Sequence, residues 1–154
     1  MELDDLKDAA RARRRETEVM FQAYSATLSA LRPANFLLVV GAALLSLVAG
    51  AVVLIENDFL TKTQAGVLAL VSSALTIIHT KLDCDQYQGD CRKLVSFYRG
   101  IAQEYDNLEF IPDAGEFRKR FLELNEELSD AAKAASALPY RWAVANARKR
   151  AATE

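Results

Sequence analysis

The stretch LIENDFLTKTQAG, Leu54 to Gly66, sets Glu56, Asn57, Asp58 and Lys62 between two of the most apolar runs in the chain. Before it lies FLLVVGAALLSLVAGAVVLI, Phe36 to Ile55, twenty residues with no charge and one polar side chain. A helix of that length spans about 30 Å, the thickness of a bilayer's hydrocarbon core. After it lies QAGVLALVSSALTIIHT, Gln64 to Thr80, and extension back to Thr61 gives that run the ~17 to 25 residues a span requires. The polar stretch is then the tip of a helical hairpin, set where headgroups and water hydrate its charges and the backbone need not stay helical. The competing reading, two buried helices of a soluble bundle, needs polar segments that wrap both runs completely. A cleaved signal peptide is not expected, because more than thirty residues precede the first run and such a peptide sits near the N-terminus behind a short basic region.

The averages hide this segregation. Hydrophobic residues make up 51% of the 154 and charged ones 26%, yet almost no charge falls between Pro33 and Thr80. The net charge of -2 excludes a nucleic-acid partner held by bulk electrostatics. Arg32 precedes the first span and Lys81, Arg92 and Lys93 follow the second, whereas the turn holds only Lys62, so both termini are expected in the cytoplasm. Cys84 and Cys91 then lie in a reducing compartment. On one helix they are about 10 Å apart, too far to bridge.

The polar remainder carries heptad seams. One runs Tyr87, Cys91, Leu94, Tyr98, Ile101, Tyr105, Leu108, and Ile77 and Cys84 continue it backward, which predicts one long helix from the second span to about Phe110. Pro112 ends it, and Asp113 with Glu116 three residues on resembles a capping box. A second seam follows: Phe117, Phe121, Leu124, Leu128, Ala131, Ala135, Leu138, up to Pro139. A third precedes the hairpin, from Leu3, Leu6 and Ala10 through Thr17, Met20, Tyr24, Leu28 and Leu31, with Arg13 an imperfect member. None of these stripes can be buried alone. The expected fold is all-α, a membrane helical hairpin of two transmembrane helices continuous with a cytoplasmic three-helix coiled bundle. Residues 1–32 form a cytoplasmic amphipathic helix, 33–82 the hairpin (spans about 36–55 and 61–80, turn 56–60), 83–139 a cytoplasmic helical hairpin and 140–154 a basic aromatic tail. The two cytoplasmic helices leave and return by roughly 40 Å each. Tyr140 and Trp142 then suit the interfacial aromatic belt, and Arg141, Arg148, Lys149 and Arg150 suit anionic headgroups, against the alternative of a frayed, solvated end.

No catalytic constellation stands out. The single histidine, His79, has no recognisable nucleophile motif beside it, and there is no phosphate-binding glycine loop or HExxH. No enzymatic activity or cofactor is expected. In HTKLDCDQYQGDC, His79 and Asp83 share one helical face and Cys84 and Cys91 another, so no metal site is expected and the acids are read as solvating a helix end. Within the spans, Ala42, Ser46 and Gly50 recur every four residues, as do Ala69 and Ser73, the small-residue pattern of close helix packing. Ser72, Ser73, Thr76, His79 and Thr80 form a weakly polar strip, which either packs on the first span or lines a conduit between several copies, since two spans cannot enclose a pore.

The layout, with YQGDCRKLVSFYRGIAQEYDNLEF after the hairpin and a last coiled helix ending in ALPYRWAVANARKR, resembles the SLATT family over nearly the whole chain. Its members are small bacterial two-span proteins associated with nucleotide-sensing defence systems. The resemblance implies an oligomeric pore-forming effector of the inner membrane, triggered by a nucleotide second messenger or a separate sensor protein. It assigns no ligand residue. The alternative is a membrane-anchored adaptor whose coiled helices dock a cytoplasmic partner.

Overall fold

A computed structural model of the chain describes residues 3–54, 61–81 and 83–153. The described residues are helical throughout their regular structure and contain no strand: α1 Leu3–Leu54, α2 Lys62–Lys81, α3 Cys84–Leu108, α4 Ala114–Ala134 and α5 Arg141–Ala151. The expected turn at 56–60 lies outside the described residues, as does Ile55. Two helical stretches, within Leu3–Leu54 and Thr63–Leu108, are long and apolar enough to cross a membrane. The chain divides into two compact units, Met1–Leu28 with Gly89–Glu154, and Ser29–Gln88.

In the first unit the seams of α1, α3 and α4 contribute to one core cluster: Leu6 and Ala10, then Ile101, Tyr105 and Leu108, then Phe117 and Leu124. Every α3 seam position from Cys91 to Leu108 is buried, which is what a 3.5-residue repeat produces when one stripe faces protein. Tyr24 stacks on Tyr98 with ring centroids 5.5 Å apart. The Tyr105 hydroxyl donates to Asn125 Oδ1, so a buried aromatic keeps its polar atom satisfied. Exposed ion pairs rim this core, Arg11 with Glu109 at 3.1 Å and Arg120 with Glu104 at 3.2 Å. The α4 start is capped as the sequence signals: Glu116 N–H donates to Asp113 Oδ2 at 2.7 Å.

Two expectations need correction. The second span and the first seam are not one uninterrupted helix: α2 ends at Lys81, and Asp83 adopts φ 43 before α3 begins at Cys84. Aspartate tolerates that left-handed conformation better than most residues, because its short side chain bonds locally. The last seam stops short, for α4 ends at Ala134 and Leu138 is 72% exposed while Ala137 is buried in its place. Pro139 disfavours helical backbone at the residue before it, so 135–140 leaves the helix. The basic aromatic tail forms α5, whose Ala143 and Ala147 are buried against Ala23 of α1. By contrast α1 runs unbroken through Pro33, across the boundary expected at 32–33.

Candidate membrane-facing site

In the second unit the withdrawn positions follow a heptad, not a four-residue, rhythm. On α2 the least exposed residues are Ala65, Leu68, Ser72, Leu75 and His79, and on α1 they include Asn35, Leu38, Ala42, Leu45 and Ala49. The two faces meet where the Ser72 hydroxyl donates to the Ala42 carbonyl at 2.6 Å, a buried bond. A small side chain at each of these positions lets the backbones approach closely enough for a hydroxyl to reach across. Asn35 Nδ2 donates to Asp85 Oδ1 at 2.7 Å, thirteen positions beyond Ser72 in one direction and seven before Ala42 in the other. α2 opens on a reciprocal cap, with Thr61 N–H donating to Gln64 Oε1 at 2.9 Å and Gln64 N–H to Thr61 Oγ1 at 3.3 Å. The sequence TKTQ carried that capping-box signal, and the reading of the span by apolar length alone passed over it.

Outside the seam, the side chains are large, apolar and open. Phe36, Leu37 and Leu47 on α1 and Leu70 and Ile77 on α2 are each more than 60% exposed. A water-soluble monomer rarely leaves so continuous an apolar surface uncovered.

The sequence-expected site residues separate into two sets. Ala42 and Ser72 are buried where the helices meet, and His79 is half-buried. Ser46, Gly50 and Ala69 are exposed, as are Ser73, Thr76 and Thr80. The exposed hydroxyls are nonetheless satisfied: Ser73 donates to Ala69 O, Thr76 to Ser72 O and Thr80 to Thr76 O, each one turn back along α2 at 2.9–3.0 Å. Such bonds remove the cost of taking a hydroxyl out of water. At 100° per residue, Ala69, Ser73, Thr76 and Thr80 share one flank of α2 beside the seam. His79 Nε2 has no hydrogen-bond partner and stands 3.8 Å from Asp85 Oδ2. Among the described residues no group of three or more His, Cys, Asp or Glu is placed to hold a metal ion. Neither Cys84 nor Cys91 is joined in a disulfide among the described residues.

The five tail residues gather at α5. Tyr140 and Trp142 lie with ring centroids 6.2 Å apart, and Arg148, Lys149 and Arg150 form the exposed last turn. Two bonds that sequence reasoning missed stitch the start of this segment to α1: Tyr24 Oη donates to Ala137 O at 2.9 Å, and Tyr140 N–H donates to Thr27 Oγ1 at 3.0 Å. Their partners are 113 positions apart, so no local signal could reveal them. A third bond, Ser136 Oγ to Asp90 Oδ2 at 2.6 Å, ties the same segment to α3. That hydroxyl, with Lys93 beside it, holds the Asp90 carboxyl below the usual aspartate range.

No protein-family model matches the chain, and neither a curated protein nor a solved structure matches it.

Proposed function

We propose that the chain is an oligomeric bacterial inner-membrane effector of the SLATT kind, which permeabilises the membrane when a nucleotide second messenger or a separate sensor protein acts on its cytoplasmic part. In this reading the apolar half of α1 and α2 form a transmembrane hairpin, α1, α3 and α4 form a cytoplasmic three-helix bundle, and both termini are cytoplasmic. One observation carries it: the open apolar surface of α1 and α2, on which the α2 hydroxyls of Ser73, Thr76 and Thr80 bond their own helix, suits hydrocarbon and not water. Ser72 holds the two spans together, and the flank of Ala69, Ser73, Thr76 and Thr80 meets a second copy or lines the path between copies. Ser46 and Gly50 give α1 a similar small-residue flank for close approach.

The test couples partition to conductance. The chain is expected in the detergent-soluble membrane fraction as an oligomer, and its triggered expression is expected to collapse the membrane potential reported by a voltage-sensitive dye. Ser73→Leu with Thr76→Leu should abolish the depolarisation while leaving membrane insertion intact. Monomers in detergent and a steady potential under every trigger overturn the effector reading.

A second reading is favoured by a different feature. An open groove of about 920 Å³ along α3 and α4, lined by Phe97, Gly100, Glu104 and Arg120 among others, has the size for a docked partner segment. An adaptor anchored by its hairpin would tolerate the leucine substitutions without loss of activity.

A further inference from the structure

The contact between α5 and α1 fixes which side of α5 looks outward. Ala143 and Ala147 are buried against Ala23, with Val19, Ala26 and Val144 packed around them. At 100° per residue the opposite side carries Arg141, Trp142, Ala145 and Lys149, with Arg148 on one flank, whereas Arg150, seven positions after Ala143, lies on the side of the buried stripe in the exposed last turn. All of these are exposed, and α5 contains no acidic residue. Elsewhere in the same unit Arg11, Arg13, Arg14, Lys93, Arg120 and Lys133 each pair with a carboxylate. Arg141, Arg148, Lys149 and Arg150 pair with no described carboxylate.

Apolar surface accompanies the charge. Trp142 is 49% exposed and Leu138, just before α5, is 72% exposed. A tryptophan among cations on one side of a short helix whose other side is already occupied matches a surface that rests at the headgroup level: the ring enters the interface and its N–H stays hydrated. The bonds from Tyr24, Tyr140 and Ser136 hold the start of this segment in place, so little ordering entropy is left to lose on contact.

We propose that the outward face of α5, Trp142 with Arg141, Arg148 and Lys149, is a docking surface for anionic lipid headgroups. The assignment rests on the membrane reading above and adds the lipid class and the residues that recognise it. The chain as a whole is net negative, so the attraction is local to this face, and it falls off over about one Debye length.

Trp142 is the only tryptophan in the chain, so its fluorescence reports this face alone. The full-length protein is reconstituted into nanodiscs of phosphatidylcholine, with and without phosphatidylglycerol, and parallel discs carry brominated acyl chains as a short-range quencher. With phosphatidylglycerol the emission should shift to the blue and be quenched by bromine. In phosphatidylcholine alone, or in molar salt, both effects should be largely lost. Replacing Arg141, Arg148 and Lys149 by Gln should remove the anionic-lipid response, each lost cation weakening the attraction by about fivefold. Emission that is the same in both lipids at low salt overturns the proposal, and so does an equal response to polyglutamate or to a DNA oligonucleotide, which would make the face a general anion or acidic-partner site. The two readings fail separately. Protein that stays in the discs with an indifferent Trp142 sinks only the α5 assignment. Protein that never enters discs sinks the hairpin, and added phosphatidylglycerol vesicles then still decide whether Trp142 responds.

Discussion

The two units bury different things. The first hides Tyr24, Tyr105, Phe117, Leu108 and Leu124 almost completely and keeps its ion pairs at the rim. The second hides Ala42, Ala49, Ala65 and Ser72, half-buries Leu38, Leu45, Leu68 and Leu75, and leaves Phe36, Leu37, Leu47, Leu70 and Ile77 outside. Water explains the first arrangement, since burying a large apolar side chain gains about 1.5–3 kcal/mol. It cannot explain the second, which inverts the same rule. In the proposed membrane reading hydrocarbon would, because lipid tails solvate leucine as well as another leucine does, and only close backbone approach and a shared hydrogen bond then distinguish contact from separation. On that reading one chain uses two packing rules, and the boundary between the units falls within α1 at 28–29 and α3 at 88–89.

The contrast can be broken most forcefully in the first unit. Phe117 is fully buried among residues from three helices, so Phe117→Ala should destabilise that unit by about 3–5 kcal/mol. Denaturant unfolding followed by near-ultraviolet dichroism, to which the buried Tyr24, Tyr98 and Tyr105 of this unit contribute, measures it. The matching truncation on the apolar helices, Leu47→Ala at a 70% exposed site, should leave the fold intact. A comparable loss there would mean that Leu47 is covered by protein, and the two-rule picture would fall.

A smaller effect sharpens the second unit. Ser72→Ala removes the hydrogen bond to Ala42 and should weaken the contact between α1 and α2 by about 0.6 kcal/mol, rising to about 1.7 kcal/mol at most. Ser73→Ala removes only a bond within α2 and should be nearly silent. Unfolding under a denaturing detergent in mixed micelles separates the two. Equal effects would show that the cross-helix bond adds nothing to the seam.

The smallest expected effect is electrostatic. Asp90 is held below the usual aspartate range, chiefly by the Ser136 hydroxyl and then by Lys93. A carboxyl whose folded value is depressed contributes stability above its unfolded value and loses that contribution as pH falls through the folded one. The segment leading into α5 should therefore stay fastened at neutral pH and loosen only under acid conditions below the aspartate range. Carboxyl NMR titration of Ser136→Ala should move the Asp90 midpoint upward toward its ordinary position, and an unmoved midpoint would dismiss the clamp.

How much was legible follows from how local each signal is. The heptad seams of α3 and of the first half of α1 were plain, because apolar spacing along one segment is set by that segment alone, and Cys91, Leu94, Tyr98 and Tyr24 are buried as it requires. The four-residue pattern of Ala42, Ser46 and Gly50 was equally visible, yet only Ala42 is withdrawn while Ser46 and Gly50 face outward. Two periodicities overlapped on the same helix, and choosing between them needs the partner helix. The kink at Asp83 escaped for a similar reason: no proline or glycine announces it, and an aspartate suits a helix end as well as a left-handed turn.

By itself, then, the sequence determined that the chain is helical, that two stretches are long and apolar enough to cross a membrane, and which stripes of the polar helices turn inward. Those properties depend on residue type and on spacing within a segment. Only the tertiary structure decided that Ser72 reaches Ala42, that α5 lies on Ala23, and that Tyr24 and Thr27 fasten the chain more than a hundred residues away. Each of those is a meeting of distant segments, and its free energy belongs to a pair of surfaces that neither stretch of sequence specifies alone.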